Sequence, residues 1–193
     1  MKLVIVKYNA GNIQSVLYAL ERIGMEAIVT DDHNAIQTAD KVIFPGVGEA
    51  STAMAYLKER KLDQLLKNLT QPVLGICLGM QLMCRYSEEN DTECLGIFDT
   101  DVKKFVSDLK IPQIGWNTLE TVSEPLFRGV DAGTYCYFVH SYYAALCEET
   151  AAITTYGEKF SSALQKNNFY GVQFHPEKSA AAGEKIIANF LSI

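Results

Sequence analysis

The apolar positions of the first half of the chain alternate between two patterns. Short, mostly apolar runs at 3–7, 27–30, 41–44 and 72–74 read as buried strands. Between them, Ile13, Val16, Leu17, Leu20 and Ile23 recur at helical spacing, with Asn12 as N-cap and Gly24 as stop. A short helix is predicted near 34–38, after a loop at Asp31-Asp32. A long helix is predicted over 50–69, with Met54, Leu57, Leu62, Leu65 and Leu66 as its stripe. Strand and helix in alternation predict a parallel sheet with helices on both faces.

From Leu95 the texture changes. Strand-like runs at 102–106, 111–116, 135–142, 151–156, 162–166 and 170–174 are separated by turns, which predicts an antiparallel β extension. An amphipathic helix over 184–191 closes the chain. No linker, repeat or low-complexity stretch interrupts it, so residues 1–193 read as a single domain.

Composition narrows the function classes. A net charge of −6 argues against a nucleic-acid binder, and no apolar run approaches the length of a membrane helix. Residues 1–6 read as a first strand and not as a signal peptide. Five cysteines without framework spacing fit reduced thiols, and so a cytoplasmic location. No C-x-x-C or H-E-x-x-H pattern occurs, so no metal site and no cofactor are expected.

The chemistry concentrates in Gly75-Ile76-Cys77-Leu78-Gly79-Met80-Gln81, a G-x-C-x-G between a buried strand and the start of a helix. That is the setting of a nucleophile elbow, with Cys77 projecting from a sharp turn. The positive end of the following helix favours thiolate, the attacking form. A base is required, and the chain holds three histidines, His33, His140 and His175. His175 opens His175-Pro176-Glu177. Pro176 biases His175 toward extended backbone, where residues two apart point the same way, so Glu177 is expected beside the imidazole. His140 lacks a carboxylate two residues on and reads as a packed strand residue. Either motif alone also fits a buried structural cysteine or a surface His-Pro-Glu; together they predict a Cys77, His175, Glu177 triad. Strand three ends in Pro45-Gly46-Val47-Gly48, at the carboxyl edge where such sheets bind ligands. Val47, Gly48 and the N–H of Leu78 are therefore predicted to form an oxyanion hole. The acidic run 87–91 reads as a solvated loop, with Glu89 as a candidate for a substrate ammonium group.

These motifs, in this order, resemble the class I (triad) glutamine amidotransferase family over essentially the whole chain. The branch most similar is that of the glutaminase subunits of imidazole glycerol phosphate synthase. The residues carrying it are Tyr8, Gly11-Asn12, Pro45-Gly46-Val47-Gly48, Ser87-Glu88-Glu89, Gly115-Trp116-Asn117, Tyr137-Phe138-Val139-His140-Ser141-Tyr142 and Lys178. The resemblance implies a flavodoxin-like α/β fold and hydrolysis of L-glutamine through a Cys77 thioester. It implies glutamine contacts from Gly46, Gln81, Glu89, Ser141 and Tyr142. It also implies ammonia transfer to a (β/α)8 cyclase subunit in histidine biosynthesis, with Asn12, Trp116, Asn117, Tyr137 and Lys178 on the partner face. Trp116 fits a core aromatic equally well, and Asn12 is explained by capping alone. The first loop departs from the family's Asp-Tyr-Gly-x-Gly-Asn, reading Lys7-Tyr8-Asn9-Ala10-Gly11-Asn12, which bears on partner contacts and leaves the triad untouched. Two alternatives stay open: a glutaminase serving another acceptor, such as anthranilate or pyridoxal phosphate synthesis, and a non-catalytic scaffold subunit.

Overall fold

Each parallel strand of the core is four to six residues long and buried throughout, as the apolar runs predict. The computed structural model describes residues 1–9 and 11–193; Ala10, within the turn expected at 8–12, lies outside the described residues. The first half runs β1 (Leu3–Val6), α1 (Ile13–Arg22), β2 (Ile28–Thr30), α2 (His33–Gln37), β3 (Lys41–Gly46), α3 (Ala50–Glu59), α4 (Leu62–Lys67), β4 (Val73–Cys77) and α5 (Leu78–Met83). The second half runs β5 (Tyr86–Ser87), β6 (Thr92–Glu93), β7 (Asp101–Lys104), β8 (Gln113–Thr118), β9 (Thr121–Val122), β10 (Tyr135–His140), β11 (Tyr142–Ala144), β12 (Thr150–Tyr156), β13 (Glu158–Lys166) and β14 (Phe169–Val172). A 3-10 turn (Pro176–Lys178) and α6 (Ala180–Ser192) complete it.

The main sheet has the order β2-β1-β3-β4-β14-β13-β11-β7-β5-β6, with β12 and β9 pairing beyond β13. β2, β1, β3, β4 and β14 are mutually parallel, and β13 then turns the sheet antiparallel. Side chains alternate between two cores. Leu3, Ile5, Ile43, Leu74 and Ile76 face one side with α1 and α6, while Val4, Val6, Val42, Phe44 and Val73 face the other with α3, α4 and α5. β8 and β10 form a separate antiparallel ribbon.

The structure corrects four expectations. The helix predicted over 50–69 is two helices, because Lys61 is left-handed (φ 55°). From Leu57 to Leu62 the stripe advances five positions, more than one turn, and the break at Arg60-Lys61 restores its phase toward the core. The run predicted at 135–142 splits at Ser141 into β10 and β11, which belong to different sheets. The acidic 87–91 run is not all solvated loop: Ser87 is a buried residue of β5, and 88–91 form the turn of the β5–β6 hairpin, with Asn90 and Asp91 both at positive φ. Asn12 precedes α1, but its φ is 74° and its side chain makes no capping bond.

Candidate active site

β4 runs straight into Cys77, and α5 begins at the next residue. The reversal forces Cys77 to φ 52°, ψ −108°, a strained conformation for a residue with a side chain. The turn is tight because α5 lies directly on β3: a Cβ on Gly79 would fall 1.8 Å from the Phe44 carbonyl oxygen. Glycine is the residue that permits this approach.

Around Cys77 lies a cavity of about 310 Å³ lined by Val47, Gly48, Leu78, Gln81, Glu89, Val139, His140, Ser141 and Tyr142 among others. Its volume suits a small ligand. Five of the predicted substrate and oxyanion positions on the first half of the chain, Val47, Gly48, Leu78, Gln81 and Glu89, line it, as do Ser141 and Tyr142. Gly46 is the one predicted substrate position that does not line it. It pairs with Cys77 across β3–β4, and its Cα is covered by the Tyr8 phenol, whose oxygen would lie 2.0 Å from an added Cβ. Its part is therefore close backbone packing behind the nucleophile. Gly48 has φ 133°, which favours glycine, and the Val47 carbonyl accepts the Gly11 N–H at 3.3 Å. In a trans peptide the Gly48 N–H then points to the side opposite Gly11. Glu49 fixes the exit from this loop by accepting the Ser51 and Thr52 N–H groups at the start of α3. Glu89 Oε2 accepts the Ala50 N–H at 2.8 Å, and burial raises its carboxyl above the usual range.

His175 and Glu177 are both buried, and His175 Nδ1 donates to Glu177 Oε1 at 2.8 Å. The carboxylate meets the ring through the 3-10 turn Pro176–Lys178, and not through the strand alternation predicted from sequence. Burial alone would lower His175, but its bonds to Cys77 and Glu177 outweigh it and lift the ring to about 10. Asn12, expected as a helix cap, also donates its Nδ2–H to Glu177 Oε1, and lies 3.4 Å from His175 Nδ1. Two donors thus converge on one carboxylate oxygen.

Two contacts escaped the reading of the sequence. One is this Asn12 bond, which no local pattern signals because the partners are 165 positions apart. The other is Gln173, fully buried, whose Nε2 lies 3.6 Å from Cys77 Sγ. A signal did exist for it: Gln173 precedes His175 by two in an extended run, so both share a face. Cys77 Sγ also lies 3.8 Å from the Val139 carbonyl.

His140 is buried and structural. Its Nδ1 donates to the Tyr142 carbonyl at 2.7 Å and its Nε2 faces Gln113 at 2.9 Å. Burial pushes the ring down to about 4 from 6.5, so it stays neutral at pH 7. Between those values the unfolded chain binds a proton that the folded chain refuses, so stability falls as pH drops through this window. We expect up to about 1.4 kcal/mol lost per pH unit there, and a flatter acid limb in His140→Gln, read from urea midpoints.

The predicted partner-face residues divide. Trp116 is 53% exposed and packs edge-on against Tyr137, with ring centroids 5.9 Å apart. The two are cross-strand neighbours on one face of the β8–β10 ribbon, so Trp116 is a surface and not a core aromatic. Asn117 lies on the opposite face, opposite Cys136, and is tied internally to the Thr155 carbonyl at 2.9 Å. Lys178 is exposed beside the triad turn. Tyr137 joins the two regions through its backbone: its carbonyl accepts the His175 N–H at 2.8 Å, and its N–H donates to Ser179 Oγ at 2.9 Å.

The other cysteines are free thiols. Burial raises all four, Cys84 and Cys147 as well as Cys94 and Cys136, the last two to about 12, which makes them inert. Among the described residues no cluster of three or more His, Cys, Asp or Glu could hold a metal ion, and no helix is long and apolar enough to cross a membrane.

A cysteine on a strained strand–helix turn, an imidazole and a buried carboxylate, set in an α/β sheet, define a class of amide hydrolase. The class I glutamine amidotransferase model matches residues 4–193, and the chain belongs to that family. The "Imidazole glycerol phosphate synthase subunit HisH" of Bacteroides fragilis is 59% identical, with all of both chains covered. The protein of the same name from Shewanella sediminis is 50% identical over 98% of this chain and 90% of that one. Among solved structures, a glutamine amidotransferase superposes with a TM-score of 0.76 at 18% identity, covering 98% of this chain and 97% of that one. PurLQS from Thermotoga maritima gives 0.73 at 16%, covering 99% and 97%. These last two speak for the fold alone.

Proposed function

We propose that this chain is the glutaminase subunit of an imidazole glycerol phosphate synthase, acting as a single domain in the cytoplasm beside a (β/α)8 cyclase subunit. The observation that carries the reading is the convergence of Cys77, His175 and Glu177 beside the cavity, in a chain 59% identical over its full length to a subunit of that name.

In the reaction, Cys77 Sγ gives its proton to His175 and attacks the side-chain amide carbon of L-glutamine. The tetrahedral oxyanion forms toward the N–H groups of Gly48 and Leu78. His175 returns the proton to the amide nitrogen, and ammonia leaves a γ-glutamyl thioester on Cys77. Water, deprotonated by His175, attacks the thioester; glutamate leaves and the thiol re-forms. Glu177 holds the imidazole with its proton on Nδ1 and stabilises the imidazolium. Glu89 receives the substrate ammonium, while Gln81, Ser141 and Tyr142 hold the rest of the amino acid and Gly46 backs the nucleophile. The ammonia passes to the cyclase, which builds the imidazole ring of imidazole glycerol phosphate and releases aminoimidazole carboxamide ribotide.

The partner covers Trp116, Tyr137, Asn12 and Lys178; Asn117 supports the ribbon from behind. The Tyr137 backbone bonds to His175 and Ser179 give the covered face a short mechanical route to the base. The peptide after Val47 is the point able to rotate on activation, since Gly48 carries the free φ. Glutamate release measured while candidate partner subunits are added one at a time tests the assignment: only the cyclase should raise the rate, in proportion until one partner is bound per chain.

A further inference from the structure

We infer that Gln173 is a hydrogen-bond donor to the attacking sulfur, keyed in that orientation by Gln81. The inference deepens the reading above and rests on Cys77 being the nucleophile.

The amide orientations can be worked out from a fixed point. The Tyr142 backbone carbonyl only accepts, and Gln81 Nε2 lies 2.9 Å from it, so the Gln81 nitrogen must be on that side. The second N–H of the same nitrogen reaches Gln173 at 2.9 Å and needs an acceptor there, so Gln173 presents Oε1 to Gln81. Its Nε2 is then left facing Cys77 Sγ at 3.6 Å. The chain Tyr142 carbonyl, Gln81, Gln173, Cys77 therefore has one consistent direction, ending in an N–H aimed at sulfur. Gln173 is fully buried and Gln81 nearly so, so neither amide can exchange this arrangement for water.

An N–H donor interacts weakly with a neutral thiol and strongly with a thiolate. The Val139 carbonyl, an acceptor only, 3.8 Å from the same sulfur, has the opposite influence and favours the sulfur keeping its proton. Gln173 is thus the neutral group that tips the sulfur toward the attacking form, while the proton goes to His175. Gln81 also lines the cavity, so its Oε1 is the atom of that side chain left for substrate, both its N–H groups being committed.

The test is the pH–rate profile of iodoacetamide alkylation at Cys77, followed by peptide mass in the full chain. The variants are Gln173→Met, which deletes the N–H, and Gln173→Asn, which keeps the amide but draws it back by one methylene. At about pH 7 alkylation should slow by about tenfold in Gln173→Met and less in Gln173→Asn, with rates matching the unmodified protein near about pH 10, where thiols ionise unaided. If Gln173→Met does not fold by circular dichroism, Gln173→Asn decides. A profile that superposes on that of the parent protein while glutamine turnover falls would assign Gln173 to packing and overturn the inference. A parent protein, assembled with the cyclase subunit, in which a glutamine-analogue electrophile leaves Cys77 unlabelled would instead overturn the nucleophile assignment itself.

Discussion

Cys77→Ala is expected to abolish glutamate release from glutamine while leaving cyclase binding and ammonia-driven cyclisation intact. Loss of the nucleophile removes the only route through a thioester, and a reduction of at least about 10⁴-fold is expected from triads of this kind. The substitution is mild for the fold. Cys77 is already buried, alanine is smaller, and the turn depends on Gly79 lying against Phe44, not on the sulfur. Trp116 and Tyr137 keep their places on the ribbon, so the partner face should survive. Cyclisation supplied with free ammonium salt reads the second half of the prediction. Its loss alongside glutamine use would mean that the two activities are not divided between the subunits as proposed.

Glu177→Gln is expected to lower kcat by about 10³- to 10⁴-fold with little change in KM. Glu177 Oε1 accepts from both His175 and Asn12, while Oε2 is buried without a protein partner. The carboxamide can keep its oxygen toward the two donors and place its NH2 where Oε2 was. The geometry then holds, but the negative charge is gone and the new donor is itself buried and unpaired. Glu177 is one of the two groups that hold His175 up against burial, so its neutralisation lowers the ring and destabilises the imidazolium formed on attack. Glutamine binding, made by a cavity that Glu177 does not line, should change little. A tenfold loss or less would reduce Glu177 to packing.

Much of this site was legible because its chemistry is local. The elbow is written in seven consecutive residues, with glycines where α5 meets β3, and Pro176 held His175 and Glu177 close enough to pair. The two cores were legible for the same reason: each central strand carries its burial in its own apolar run. The failures share one cause. Asn12 has the composition of a cap, yet a long-range bond to Glu177 claimed its side chain. Asn117 sits beside Trp116 in sequence, but strand alternation turns it to the other face. Lys61 breaks a helix without glycine or proline, through the phase of the stripe around it. Gln173 lies just past the end of β14, and only the fold brings Cys77 and Gln81 against it. In each case tertiary contacts decided what local propensity left open.

The most direct test of the central claim is glutamate release from L-glutamine, by this chain alone and then with the cyclase subunit and its nucleotide ligand present. Near silence alone and strong release in the assembled complex is the predicted result, since the base is wired to the partner face through Tyr137 and the Val47 carbonyl is held by Gly11. No release in either state, with the complex formed, would contradict the account.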